Sequence, residues 1–229
     1  ISNQQFIPAS TRWTGTKGWS YAIYSYYGMT HEINMYCEID EKIYENTDME
    51  ISNSNTSMSL NTDAGLLSIS GRTLSTNRCV LLNLNTKEIL FSFDTTNGIA
   101  GTKISKSGAF FGVSEYMFKE RTHRLVLYDI INARTKILSN AQDASYFEFS
   151  KDDGTILAIT LNGDYFVIDK ETMEIKENYK FKNTGDEFGR NFVALSPDGA
   201  KITMAYSRGG KTYLEESIIG NEESRIIGE

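Results

Sequence analysis

Three polar segments of the chain carry side chains that could do chemistry. Asp94 lies in "DTTNGIAG" (94–101), Asp143 in "SNAQDAS" (139–145), and Asp186, Glu187 and Arg190 in "KFKNTGDEFGRN" (180–191). Two carboxylates facing each other across a pocket, roughly 5 to 9 Å apart, would suit glycoside hydrolysis. These flanks share no motif, and carboxylates are common in loops, so a solvated loop is the simpler reading. A second acidic set, Asp63, Asp152-Asp153 and Asp198, sits in short turns. A calcium loop of the EF-hand kind needs about six oxygen ligands at set spacings and a late Glu, which none of these turns has. Their expected role is to hydrogen-bond the local backbone ahead of a Gly that accepts positive φ. "AYSRGGKT" (205–212) has the tail of a phosphate loop, but Ala205 stands where Gly is required and a strand-like segment follows where a helix should be. His31 and His123 are the only histidines. They read as exposed turn residues, with no Ser or Cys arranged beside them for nucleophilic catalysis.

The bulk numbers narrow the field further. A net charge of −7 over 229 residues argues against the grip on phosphates that dominates nucleic-acid affinity. No apolar run approaches the roughly 20 residues of a membrane span. Cys37 and Cys79 form neither a C-x-x-C pair nor a disulfide framework. No cofactor or metal is expected. The chain begins at Ile1 rather than Met, which reads as a processed or excised form. The compartment expected is the cytoplasm, or one reached by a leader already removed.

The elements that must position these residues recur. "MSLNTDAGLLSIS", "TKISKSGAFFGVS", "FEFSKDDGTILAIT" and "VALSPDGAKITMAYS" share one form: an apolar run, a small polar turn with Gly, and a second apolar run. The apolar residues before the turn, Leu60, Ile104, Phe149 and Leu195, are spaced by 44, 45 and 46 residues. "RWTGTKGWSYAIYS" is a weaker fifth copy, with Trp13 in the same slot. Each copy is followed by a second hairpin, as in "RCVLLNLNTKEILFSF" and "RLVLYDIINARTKIL". Cys37, Asn83, Asp129, Asp169 and Glu215 or Glu216 end its first strand. Asn162-Gly163 and Arg208-Gly209-Gly210 mark tight turns between the two hairpins. Runs such as Ile156 to Ile159, apolar at every position, require cover on both faces of the sheet. In "GWSYAIYSYYG" (18–28), Trp19, Tyr21 and Ile23 share one strand face and Tyr24 and Tyr26 the other, as packing on both sides demands.

Four-stranded antiparallel units of about 45 residues predict an all-β chain, a β-propeller of about five blades in a single domain over 1–229. The repeats fall roughly at 10–50, 57–94, 102–139, 146–181 and 192–229. The pattern resembles WD40-like and related bacterial propeller repeats. "LSPDGAKITMAYS" looks like their Ser-Pro-Asp-Gly turn, and Tyr128-Asp129 occupies the slot of their Trp-Asp. Five blades closing as a ring is the preferred expectation, with "ISNQQFIPAS" (1–10) pairing into the last blade, since an open array leaves exposed edges; the alternative is a fragment of a larger ring.

The resemblance implies a division of the loops. Turns within strand pairs one-two and three-four share one face. Two-three turns and blade connections share the other, the usual binding face. That face would hold Asp94, Asn97, Asp143, Asp186, Glu187 and Arg190 near the axis. Tyr116, Arg121 and His123 would lie in the longest two-three turn (115–124), and Tyr26 and Tyr27 at the end of the aromatic run. The expected function is non-enzymatic protein–protein interaction, as a scaffold, assembly component or inhibitor, with a basic partner favoured by the acidic balance. The alternative is a carbohydrate-active propeller, lectin or glycosidase, binding a small glycan through acidic residues at the axial face.

Overall fold

The structure, a computed structural model, describes strands at 6–8, 21–27, 30–36 and 44–46. It then describes residues 58–228 except 73–74, 87, 140, 142–143, 161–163, 181–191 and 222–223. Every regular element among the described residues is a strand. The first sheet holds β1 (Phe6–Pro8), β2 (Tyr21–Tyr27), β3 (Thr30–Tyr36) and β4 (Tyr44–Asn46). The second holds β5 (Met58–Asn61), β6 (Leu66–Arg72), β7 (Asn77–Asn83) and β8 (Glu88–Thr95). The third holds β9 (Gly98–Ile104), β10 (Phe110–Met117), β11 (Thr122–Asp129) and β12 (Arg134–Leu138). The fourth holds β13 (Ala144–Phe149), β14 (Ile156–Thr160), β15 (Asp164–Ile168) and β16 (Ile175–Lys180). The fifth holds β17 (Phe192–Leu195), β18 (Lys201–Arg208), β19 (Lys211–Ile218) and β20 (Ser224–Gly228). In every sheet the strands pair antiparallel in chain order.

One expectation is corrected. The segment at the start of the chain was to pair into the last sheet, but Phe6, Ile7 and Pro8 lie opposite Ser25, Tyr24 and Ile23 of β2. Pairing with the nearest hairpin in sequence closes a far shorter loop than pairing some 200 residues away, and so costs less entropy. The first-strand position expected at Trp13 lies outside the described residues.

Alternation along the inner strands builds the core. In β10 and β11, Phe110, Leu125 and Leu127 join Phe147, Ile156, Ala158 and Ile168 of the fourth sheet in one apolar cluster. Their neighbours Phe111, Val113, Val126 and Tyr128 point the other way, to Leu66, Cys79 and Leu81 of the second sheet. The fourth sheet repeats the device: Leu157, Ile159 and Tyr165 pack with Ile202, Met204 and Tyr206 of the fifth. Successive side chains of a strand face opposite ways, so a strand apolar at every residue feeds two cores at once. That is why all five residues of β14 are buried. The fourth strands, by contrast, are largely exposed, as in β16 and β20.

Candidate functional site

In the second, third and fifth sheets the one-two and three-four turns meet at one end. Leu84 N donates to Gly65 O, Ile130 N to Ala109 O, and Ile219 N to Ala200 O, all at 2.8 to 2.9 Å. Two of the turn carboxylates there, Asp152 and Asp198, are engaged within their own turns. Asp152 Oδ1 accepts from Ser150 Oγ and Gly154 N at 2.9 and 3.0 Å, and Asp198 Oδ1 from Ser196 Oγ and Ala200 N at 2.6 and 3.1 Å. These donors hold both carboxyls below the usual aspartate range: the Gly154 N–H first for Asp152, the Ser196 hydroxyl first for Asp198.

The residues ending the third strands also share a role. Asn83 Oδ1 caps the N–H groups of Asn85 and Thr86, and Asp169 Oδ1 those of Glu171 and Thr172. Asp129 caps Asn132 N at 3.0 Å and receives the Arg134 guanidinium on Oδ2 at 2.6 Å. Burial alone would raise the Asp129 carboxyl, but hydrogen bonds from Asn132 and Arg134 pull it below its ordinary value.

At the opposite end, the connection between the second and third sheets meets the start of β7 and the far end of β10. Asn77 Nδ2 donates to Asn97 O at 2.6 Å, and Gly98 lies opposite Tyr116 in the β9–β10 ladder. The organising group there is Glu115, which is fully buried. Its Oε1 accepts from Asn97 Nδ2 at 2.9 Å and from the Thr95 hydroxyl, and its Oε2 accepts from Arg124 Nε at 2.6 Å. Asn97, expected as a binding residue, therefore anchors the connection to the third sheet. Asp94 is held in a two-pronged pair by Arg78 Nε and Nη2, at 2.7 and 3.1 Å. Of this group only Asn97 was a sequence candidate; Glu115, Thr95 and Arg124 were not singled out, because the four meet only once the sheets have formed.

Residues 115–124 are not one long turn. The β10–β11 ladder continues through Tyr116 opposite His123 and Met117 opposite Thr122, leaving only 118–121 to turn, with Arg121 at φ 55°. His123 is half-buried within β11, its ring 5.1 Å from that of Tyr116 and its Nδ1 3.4 Å from Ser114 Oγ. Tyr116 also meets Phe118 edge-on at 5.7 Å, and Phe118 at the hairpin tip is 56% exposed. Phe118 was no sequence candidate. Its position between two charged stretches gave no hint that it would head an aromatic cluster. Tyr26 and Tyr27 lie opposite His31 and Thr30 at the end of β2, the equivalent place in the first sheet. Asp143, Asp186, Glu187 and Arg190 lie outside the described residues. Among the described residues no group of three His, Cys, Asp or Glu side chains is placed to hold a metal ion.

Known structures share this architecture. The chain is similar to the β-propeller domain of Myceliophteria thermophila Cps50 (Swd1), at 14% identity and a TM-score of 0.51, over 86% of this chain and 61% of that one. It is likewise similar to the β-propeller domain of the trilobed protease from Pyrococcus furiosus, at 12% identity and a TM-score of 0.55, over 77% of this chain and 58% of that one. The fold is a β-propeller. Kuenenia stuttgartiensis hydrazine synthase matches this propeller with a TM-score of 0.54 at 17% identity, over 78% of this chain and 51% of that one. The chain thus spans between half and two thirds of the length of these three solved chains. No protein-family model matches the sequence, and no curated protein matches it.

Proposed function

We propose that this propeller is a non-enzymatic module that binds another protein through the face carrying the two-three turns and blade connections. The observation that supports this most is the exposed Phe118 at the tip of the β10–β11 hairpin, backed by Tyr116 and His123. A rigid, half-solvated aromatic side chain offers a partner large contact area at small ordering cost. Two described carboxylates of this face are committed: Glu115 to Arg124, Asn97 and Thr95, and Asp94 to Arg78. A glycosidase needs a carboxyl free to shuttle protons, so these engagements take Asp94 and Glu115 out of that role. The net charge of −7 favours a partner with a basic surface.

The test pairs a pull-down from the source cells with a glycan array. Wild-type protein is expected to retain a defined partner that Phe118→Asp loses and that exposed Ile137→Asp, on the outer strand β12, keeps. The array is expected to be blank. A specific glycan, or a partner indifferent to Phe118→Asp, would overturn the reading.

A further inference from the structure

On the opposite face, between the third and fourth blades, lies a cavity of about 510 Å³. Its floor is apolar, with Phe110 and Ala109, and the exposed Ile131 stands on its wall. Its charged lining is four carboxylates, Asp129, Asp152, Asp153 and Glu171, against two cations, Arg134 and Lys170. Asp129 and Arg134 neutralise each other through the hydrogen bonds already described. The cavity is therefore left with a surplus of negative charge.

Asp153 sets this cavity apart. It occupies the place that Gly108 and Gly199 take in the turns of the third and fifth blades, each the residue whose N–H closes the turn onto a Ser carbonyl. Gly108 and Gly199 have φ of 79° and 70°, and Asp153 has φ of 56°. An L-residue pays for that conformation where glycine does not. A β-carbon at Gly108 or Gly199 would also run into the turn of the preceding blade. Around Asp153 that turn instead offers hydroxyls: Ser105 Oγ donates to Oδ2 at 2.7 Å, and Ser107 Oγ donates to the same oxygen. Both serines use Oδ2. Oδ1 is buried with no hydrogen-bond partner, and the residue as a whole is 3% exposed. A buried carboxylate oxygen left without a donor is a rare and costly state.

We infer that this inter-blade cavity receives a lysine or arginine side chain of a protein partner, whose cationic head uncovers Asp153 Oδ1 on entry and donates to it while its aliphatic stem lies against Phe110 and Ile131. The surplus carboxylates supply charge complementarity, and the apolar floor suits the methylene stem of such a side chain. This site is separate from the Phe118 face, and either can fail without the other.

The probes are the N-acetyl, N-methylamide derivatives of arginine, lysine and citrulline, titrated into isotope-labelled protein while backbone amide resonances are followed. Arginine or lysine is expected to shift Ser107, Asn132 and Gly154 with millimolar affinity, and neutral citrulline to leave them in place. The two cationic probes show which head group fits better. Asp153→Gly installs the residue that the equivalent turns carry and should fold. Ile131→Lys places a resident cation on an exposed wall position. Each is expected to weaken binding by at least about tenfold with its thermal melt still cooperative. Absent shifts, equal shifts with citrulline, or unchanged affinity in folded Asp153→Gly would overturn the proposal and leave Asp153 as an inter-blade link to Ser105 and Ser107 only.

Discussion

At the scale of single residues, two buried carboxylates, Glu115 and Asp153, join segments distant in sequence. Glu115 is the clearest case, since one side chain collects a connection (Thr95, Asn97) and the adjacent strand (Arg124). Glu115→Ala would leave three donors facing a void, so unfolding free energy should fall by about 3 kcal/mol, read from the denaturant midpoint at constant slope. A loss under half of that would mean the donors find other partners. Asp129 makes a pH-dependent contribution. Its carboxyl is held below the unfolded value by Asn132 and Arg134, so its stabilisation is complete above the ordinary aspartate value of about 3.9 and is lost as pH falls through the folded one. Asp129→Asn should therefore cost about 1 to 2 kcal/mol at neutral pH. The gap between the two proteins should close in acid; a gap constant with pH would show that the charge is not what matters.

At the scale of strands and turns, close approach between blades decides which glycines can be replaced. A β-carbon on Gly112 in β10 would enter the Phe147 ring of the next blade, whereas one on Gly101 in β9 would meet nothing within 4 Å. Gly112→Ala should cost about 1 to 3 kcal/mol by overpacking, and Gly101→Ala should stay within about 0.5 kcal/mol of wild type. Equal melting shifts for the two variants would contradict the inter-blade packing described. The strands themselves were legible in the sequence because their signal is local. The landmarks Ile104, Phe149 and Leu195 are the last residues of β9, β13 and β17, and the turn after each follows from Ser, Asp and Gly chemistry. Less legible was the continuation of β10 and β11 through Tyr116 and His123, because polar and aromatic residues near a charged tip read as a turn. The placement of positive φ on Asp153 rather than Gly154 was hidden too, since it depends on two serines 46 and 48 residues away.

At the scale of the whole molecule, the second to fifth blades are linked in series at the end where their one-two turns lie. Asn61 Nδ2 donates to the carbonyls of Ser105 and Lys106, Ser105 and Ser107 reach Asp153, and Thr155 Oγ1 and Lys151 N reach the carbonyls of Gly199 and Pro197. The same neighbours share apolar cores, so β10, β11 and β14 are each buried by two blades, and opening one of these blades strips cover from the next. Stability in such arrays is a sum of blade and interface terms, and strong interfaces make neighbours open together. Hydrogen exchange should therefore place the amides of β10 and β14 in one slow class with a common opening free energy. The exposed outer strands β16 and β20 should exchange faster by local fraying. Asn61→Ala removes two bonds at the second-to-third joint without touching a core. It should speed exchange in β6 more than in β14, because the loss falls on one interface of the series. If β10 and β14 opened with separate free energies, or if Asn61→Ala sped exchange equally in β6 and β14, coupling through nearest-neighbour interfaces would not describe this propeller.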